Sequence, residues 1–447
     1  MSTVLVYGLG RSGLAVTRLL HDQGHAVEFF ESREAGEDVT EALESGARRV
    51  ADVNASTAAV CIAAPGVRID HPDLVSLRDR GTEVIGEVEW VARSFPDSPL
   101  VGVTGTAGKG TVTSWIAHTL RLAGTDVEAG GNLDPALAAV ARPGATLVVE
   151  LSSFQLERVP GLRPGIAIAL NLGSDHLDRH GSIDAYHSVK RNLIRNLTGE
   201  ELLIYNADDE ALVAWADSSS ARTAGFSLRA PAAAHLAGGM LYLRGAPLMP
   251  SHDLGIPGTH NVANALAVAL ACAALGLTPD AIRTGLASYT GLRGRYSAVT
   301  NVGGITYIED SIATRPLSVL AALESSPAPV VWLAGGRSKG ADIREFAAIA
   351  KQKVSLFIGF GESGEAFCAG LSDTVPVLHL PHADGRAALR AAVKAADAHL
   401  RAHAARGGTV LLAPLATSFD QFGDYAERGQ AFRDEALRME AMWTRYS

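Results

Sequence analysis

The stretch Leu100-Val-Gly-Val-Thr-Gly-Thr-Ala-Gly-Lys-Gly-Thr111 decides the fold. An apolar run enters a glycine-rich turn, and a helical pattern from Val112 to Leu122 follows. Strand, turn and helix N-terminus together aim backbone N–H groups at phosphate oxygens, and the helix dipole favours negative charge there. Gly105, Thr106, Ala107, Gly108, Lys109, Gly110 and Thr111 are therefore expected to cradle nucleotide phosphates. Lys109 is placed to reach the β- and γ-phosphates, and Thr111 to offer its hydroxyl to Mg²⁺. The spacing departs from the general phosphate-loop pattern, because Val103 stands five residues before Gly108 and Gly110 follows the lysine.

On both sides of this loop, short β-branched runs alternate with Ala/Leu-rich helical stretches. They include Val4–Tyr7, Val27–Phe30, Leu147–Glu150, Ile166–Leu170, Val330–Leu333, Leu356–Ile358 and Val410–Leu412. Runs with little polar alternation are strands buried on both faces, and their alternation with helices predicts parallel α/β sheets. Phe95-Pro-Asp-Ser-Pro99 reads as a linker, and Gly291-Leu-Arg-Gly294 closes a helical region. The expected organisation is three α/β domains: 1–95, Rossmann-like; 96–292, similar to the phosphate-loop ATPases; and 293–447, Rossmann-like. The Ala/Gly-rich segment 230–250 is expected to form loops and a small hairpin.

Other segments carry chemistry. Glu150, in Val148-Val-Glu-Leu-Ser-Ser-Phe-Gln155, closes a buried strand, where site residues of α/β proteins gather. A carboxylate there needs a counter-charge, which a metal supplies. Asn171-Leu-Gly-Ser-Asp-His-Leu-Asp-Arg-His180, with Tyr186-His-Ser-Val-Lys190 downstream, puts Asp and His residues after another strand and suggests a second metal or phosphate site. Gly8-Leu-Gly-Arg-Ser-Gly13 is a GxGxxG turn after the first strand, and Glu31-Ser-Arg33 ends the second. Alone, that pair reads as a dinucleotide fingerprint.

Bulk properties set limits. The chain has 447 residues and a formal charge of −9, so broad nucleic-acid or anionic-membrane binding is not expected. Cys61, Cys272 and Cys368 are far apart and form no CxxC pair, which argues against a disulfide framework or cysteine zinc site and fits the cytoplasm. The start, Met1-Ser-Thr-Val-Leu-Val6, runs directly into a strand, and the apolar stretch Ala265–Leu275 reads as a buried helix, so no membrane insertion is expected.

Taken in order, the loop GTAGKGT, the ELSSFQ block and the DHLDRH segment ending in Lys190 resemble the Mur ligase family. The resemblance continues through His260-Asn261-Val-Ala-Asn264, through Arg295 with Glu309-Asp-Ser-Ile-Ala-Thr314, and through Ser418-Phe-Asp-Gln-Phe422 with Tyr425 and Arg428-Gly429. It spans almost the whole chain and is nearest to the D-glutamate-adding branch. It implies an ATP-dependent ligase that activates the carboxylate of UDP-N-acetylmuramoyl-L-alanine as an acyl phosphate and joins it to D-glutamate, in peptidoglycan precursor synthesis. The implied catalytic set is Lys109, Glu150, His176 and Lys190. Two Mg²⁺ ions are implied, held by Thr111 and Glu150 and by His176 and Lys190, with Lys190 carbamylated. ATP would also meet Asn264, Arg295 and Asp310. The substrates would meet Arg11, Ser12, Glu31, Ser32, Arg33, Asn132, Thr314, Lys339, Ser418 and Tyr425. A monomer is expected.

Gly110, Ile312 and Arg315 depart from the branch's usual residues. GTxGKG[ST] also resembles folylpolyglutamate synthetases, although those lack a preceding nucleotide-sugar domain. A folylpolyglutamate-type ligase, a catalytically silent ATP-binding relative and an NAD-dependent oxidoreductase using Gly8–Gly13 are the alternatives.

Overall fold

The computed structural model describes residues 2–446 apart from Arg293, Lys339, His382, Ala405 and Arg406. Three sheets organise the chain. The first has five parallel strands, in the order Arg48–Arg49, Ala26–Phe30, Thr3–Tyr7, Val60–Ala63, Glu83–Ile85. The order reverses direction at Thr3–Tyr7, so the turns after this strand and after Val60–Ala63 flank a switch point where α/β sheets bind ligands. Those turns are Gly8–Gly13 and Ala64–Val67.

The second sheet has nine strands. Leu100–Thr104 lies between Thr146–Glu150 and Ile166–Ala169, all parallel and fully buried. Hence the glycine loop, Glu150 and the Asn171–His180 segment leave the sheet at neighbouring strand ends. The far edge corrects the expectation for 230–250: Ala234–Ala237, Met240–Leu243 and Ala246–Pro250 form a three-strand antiparallel extension rather than a single hairpin. Gly238 and Gly239 take positive φ and turn the chain there.

The third sheet has six strands. Ile305–Glu309, Gly408–Leu412 and Val330–Gly335 are parallel neighbours. The segments that follow them contain Asp310, Ser418 and Ser338.

The chain divides into two compact units, Met1–Gly255 with His260–Tyr289, and Ile256–Thr259 with Thr290–Ser447. The first unit holds the first two sheets and the second unit the third. In the first unit, Trp115 on the helix Lys109–Leu122 is wholly buried, stacks on Tyr289 at 4.9 Å and donates from Nε1 to Gly285 O at 3.1 Å. All three cysteines are buried and unpaired, and burial raises the thiols of Cys61 and Cys272 to about 12. Among the described residues, no helix is long and apolar enough to cross a membrane.

Candidate functional site

The glycine loop is built by backbone restraint. Gly108 has φ +82°, and a Cβ there would lie 2.7 Å from Asn264 Oδ1, so both backbone and space require glycine. Asn264 is itself buried, on the helix Thr259–Ala274, and donates to Asn261 Oδ1 at 3.1 Å. Lys109 Nζ donates to Gly105 O at 2.9 Å and Thr106 O at 3.2 Å. Asn171 holds Ala107 by both amide atoms: Ala107 N donates to its Oδ1 at 2.8 Å, and its Nδ2 donates to Ala107 O at 3.1 Å. Gly173 N donates to Thr106 Oγ1 at 2.8 Å. The segment after Ile166–Ala169 therefore carries the loop. Gly110 and Thr111 lie in the first turn of the helix, with Gly110 buried. Asn171 entered the sequence reading only as the start of a motif. Its role depends on two strands being adjacent, which no local pattern encodes.

Beside the loop lies a group of ionisable side chains. Glu150 is 1% exposed; its Oε1 accepts from Asn132 Nδ2 at 2.8 Å, and its Oε2 is buried without a hydrogen-bond partner. A buried carboxylate oxygen left this way is costly unless a cation meets it. Carboxylate and hydroxyl oxygens suit a hard divalent ion, so Glu150 and Thr111 fit Mg²⁺. Lys190 is buried on the helix Ile183–Arg191 and donates from Nζ to Gly105 O at 2.8 Å. Burial first, and Lys109 second, push its amine down to about 6 against the opposing pull of Asp175 and Glu150. His176 has φ +53°, pairs with Asp175 at 3.5 Å and packs on Phe154 at 4.6 Å. Lys109, Glu150 and Lys190 are thus brought together.

At the first sheet, Gly13 is sterically obligatory, because a Cβ would sit 1.9 Å from Gly8 O. Glu31 accepts from Leu9 N at 2.9 Å, Arg33 N at 3.1 Å and Arg33 Nη2 at 3.3 Å, and Ser32 Oγ donates to it at 3.3 Å. Burial alone would raise Glu31, but the Arg33 guanidinium and these amides outweigh it and hold it at about 2. Arg11 reaches the second sheet, donating to Asn132 O at 3.0 Å and Asp134 Oδ1 at 3.4 Å. Ser12 hydrogen-bonds Glu87, which also accepts from Ala138 N at 2.6 Å. Arg11, Asn132 and Glu150 therefore form one chain of contacts.

In the second unit, Asp310 is buried, and burial raises its carboxyl to about 7, aided by Glu309 and opposed by the Tyr296 amide and Arg295. Glu309 accepts from Gly294 N at 2.7 Å and Ser311 N at 2.9 Å. Arg428, wholly buried, donates to Ser311 Oγ at 3.0 Å, Ser311 O at 2.8 Å and Gly335 O at 3.3 Å, so it ties two of the site-bearing strand ends together. Ser418 is buried, Thr314 is half-buried, and Tyr425 is exposed at the start of the helix Tyr425–Tyr446. Ile312 N donates to Gly294 O, and Arg315 occupies the N-cap position of the helix Pro316–Ser325, without a side-chain capping bond. Lys339 lies outside the described residues.

Residues 103–272 match the Mur ligase middle domain, and residues 2–86 the Mur ligase MurD-like N-terminal domain. The UDP-N-acetylmuramoylalanine–D-glutamate ligase of Thermus thermophilus is 42% identical over 97% of this chain and 97% of its own. That of Deinococcus radiodurans is 42% identical over 96% of this chain and 91% of its own. In fold, the UDP-N-acetylmuramate-alanine ligase MurC of Thermotoga maritima aligns with a TM-score of 0.61 at 20% identity, covering 98% of this chain and 100% of that one.

Proposed function

This chain belongs to the Mur ligase family, and we propose that it adds D-glutamate to UDP-N-acetylmuramoyl-L-alanine at the expense of ATP, in peptidoglycan precursor synthesis. The observation that carries this reading is the convergence of Glu150 and Lys190 on the phosphate loop; the switch-point turns of the first sheet, Gly8–Gly13 and Ala64–Val67, are assigned to the sugar nucleotide. Segments 1–95, 96–292 and 293–447 are assigned to the sugar nucleotide, to ATP and to the amino acid. The enzyme works as a cytoplasmic monomer.

A carboxylate is a poor acyl donor because oxide leaves badly. One oxygen of the alanyl carboxylate attacks the γ-phosphorus, the bond to ADP breaks, and an acyl phosphate results. Two anions must approach for this, so cations have to screen them. Lys109 does so from the loop. Magnesium, when bound, would supply further charge neutralisation for this transfer. Thr111 and Glu150 would hold one ion, and His176 and Lys190 the other. A lysine ammonium repels a metal, whereas a neutral amine, the form that burial favours at Lys190, would add CO₂ and release a proton to solvent, leaving an anionic carbamate.

The glutamate nitrogen then attacks the acyl carbon, phosphate leaves and the nitrogen loses a proton, giving the amide. Thr314, Lys339, Ser418 and Tyr425 are assigned to the glutamate carboxylates, and Arg295, Asp310 and Asn264 to the nucleotide. Arg11, Ser12, Glu31, Ser32, Arg33 and Asn132 are assigned to the sugar nucleotide.

Phosphate release with ATP, Mg²⁺ and UDP-N-acetylmuramoyl-L-alanine tests this. Release that requires D-glutamate, and is not supported by L-glutamate, is expected. Release with a folate acceptor instead, or none despite ATP binding, would overturn it.

A further inference from the structure

Two arginines of the second sheet grip the turn Ala64–Val67 of the first. Arg179, on the short helix that begins beside His176, donates from Nη1 to Gly66 O at 3.1 Å and from Nη2 to Val67 O at 2.9 Å. Its guanidinium is fixed before it gets there. Glu157 accepts from Nε at 3.0 Å and from Nη2 at 2.5 Å, and the Phe154 ring lies 4.1 Å below it. Both side chains of that ion pair are nearly buried, at 9% and 6% exposed. Arg158 is 2% exposed and donates from Nη2 to Val67 O and from Nη1 to Ala64 O at 3.4 Å. Its own carbonyl accepts from Gly86 N at 2.8 Å, so this connection runs both ways.

Three of the turn's four carbonyls, those of Ala64, Gly66 and Val67, are thus held by two cations, and neither cation comes from the turn's own sheet. Peptides are planar, so fixing the Gly66 and Val67 carbonyls also fixes the direction of the N–H groups on the same planes. Charge-assisted bonds of this kind are about twice as strong as neutral ones, and bidentate anchoring removes the guanidinium's own freedom in advance. The gripping residues lie on the segments that carry Glu150 and His176: Arg158 follows Glu150 through the helix Ser153–Leu156, and Arg179 follows His176 directly.

We propose that Arg158 and Arg179 are positioning residues for the sugar nucleotide, holding the Ala64–Val67 turn in register with the segments that bear Glu150 and His176. The assignment rests on the ligase reading of the Ala64–Val67 turn as part of the sugar-nucleotide site. Neither arginine is assigned a contact with the reacting atoms.

The test is titration calorimetry on the full-length chain, with UDP-N-acetylmuramoyl-L-alanine and ADP–Mg²⁺ as separate ligands. Arg179→Ala is expected to weaken the sugar nucleotide about tenfold or more while ADP–Mg²⁺ stays within about twofold. Arg179→Lys, which keeps the charge but not the fork, should fall between. If the alanine variant does not fold, Arg179→Lys and Arg158→Lys carry the test through the same split. Unchanged sugar-nucleotide affinity in a folded variant overturns the assignment, as does equal loss of both ligands, which a purely structural role would produce. Wild-type protein that binds no sugar nucleotide would instead overturn the ligase reading, and this assignment with it.

Discussion

At the scale of single residues, burial sets the chemistry. Lys190 is expected to be indispensable: Lys190→Ala should lower kcat by about 100-fold or more, since the group stands where transition-state charge is screened. Formate or acetate, supplying the missing carboxylate oxygens, should restore part of the rate, and steady-state assays with and without the additive check it. Full activity of the variant without additive would contradict the role. Asp310 makes a different prediction. Its folded pKa of about 7 lies above the ordinary 3.8, so the folded state binds the extra proton. Stability is then lost as pH rises from the ordinary value to the folded one, and the whole cost is present above about pH 7. Asp310→Asn removes that cost, on the order of 2–4 kcal/mol at pH 8, with a gain that shrinks toward pH 4. Melting temperatures at both ends of this range should show the trend, while activity falls if Asp310 meets the ribose.

At the scale of elements, the phosphate loop depends on its glycines and on a neighbouring strand's asparagine. Gly108→Ala is expected to abolish measurable ADP–Mg²⁺ binding by calorimetry, because the new Cβ meets Asn264 Oδ1 at 2.7 Å in a backbone already at positive φ. Retained affinity would mean that Asn264 can move aside freely. The strands and the loop were legible because their signals are contiguous: apolar runs for buried strands, then Gly and Lys at a helix start. The Glu150 segment was legible for the same reason, whereas Lys190, inside a helix, was singled out only through the family resemblance. Arg158, Arg179 and Asn171 were not, because each works on backbone atoms of a segment distant in sequence, and a carbonyl leaves no mark in the residue string. The antiparallel extension at Ala234–Pro250 was read too simply, since its strands are short and interrupted by glycine and proline, which weaken any strand pattern.

At the scale of the whole molecule, the first unit contains two complete sheets with their own core. A fragment spanning residues 1–289 is expected to melt cooperatively and to bind UDP-N-acetylmuramoyl-L-alanine, yet to form no amide. Circular dichroism melting and calorimetry check the first two, and product chromatography the third. A fragment without cooperative unfolding would show that the third sheet is needed for the first two to fold. The buried thiols carry a practical consequence. With Cys61, Cys272 and Cys368 all enclosed, and the first two raised to about 12, maleimide dyes should ignore the native protein. A single cysteine introduced on the surface of each unit would then accept fluorophores without removal of the natural ones, leaving the wild-type background intact for single-molecule distance measurements during turnover.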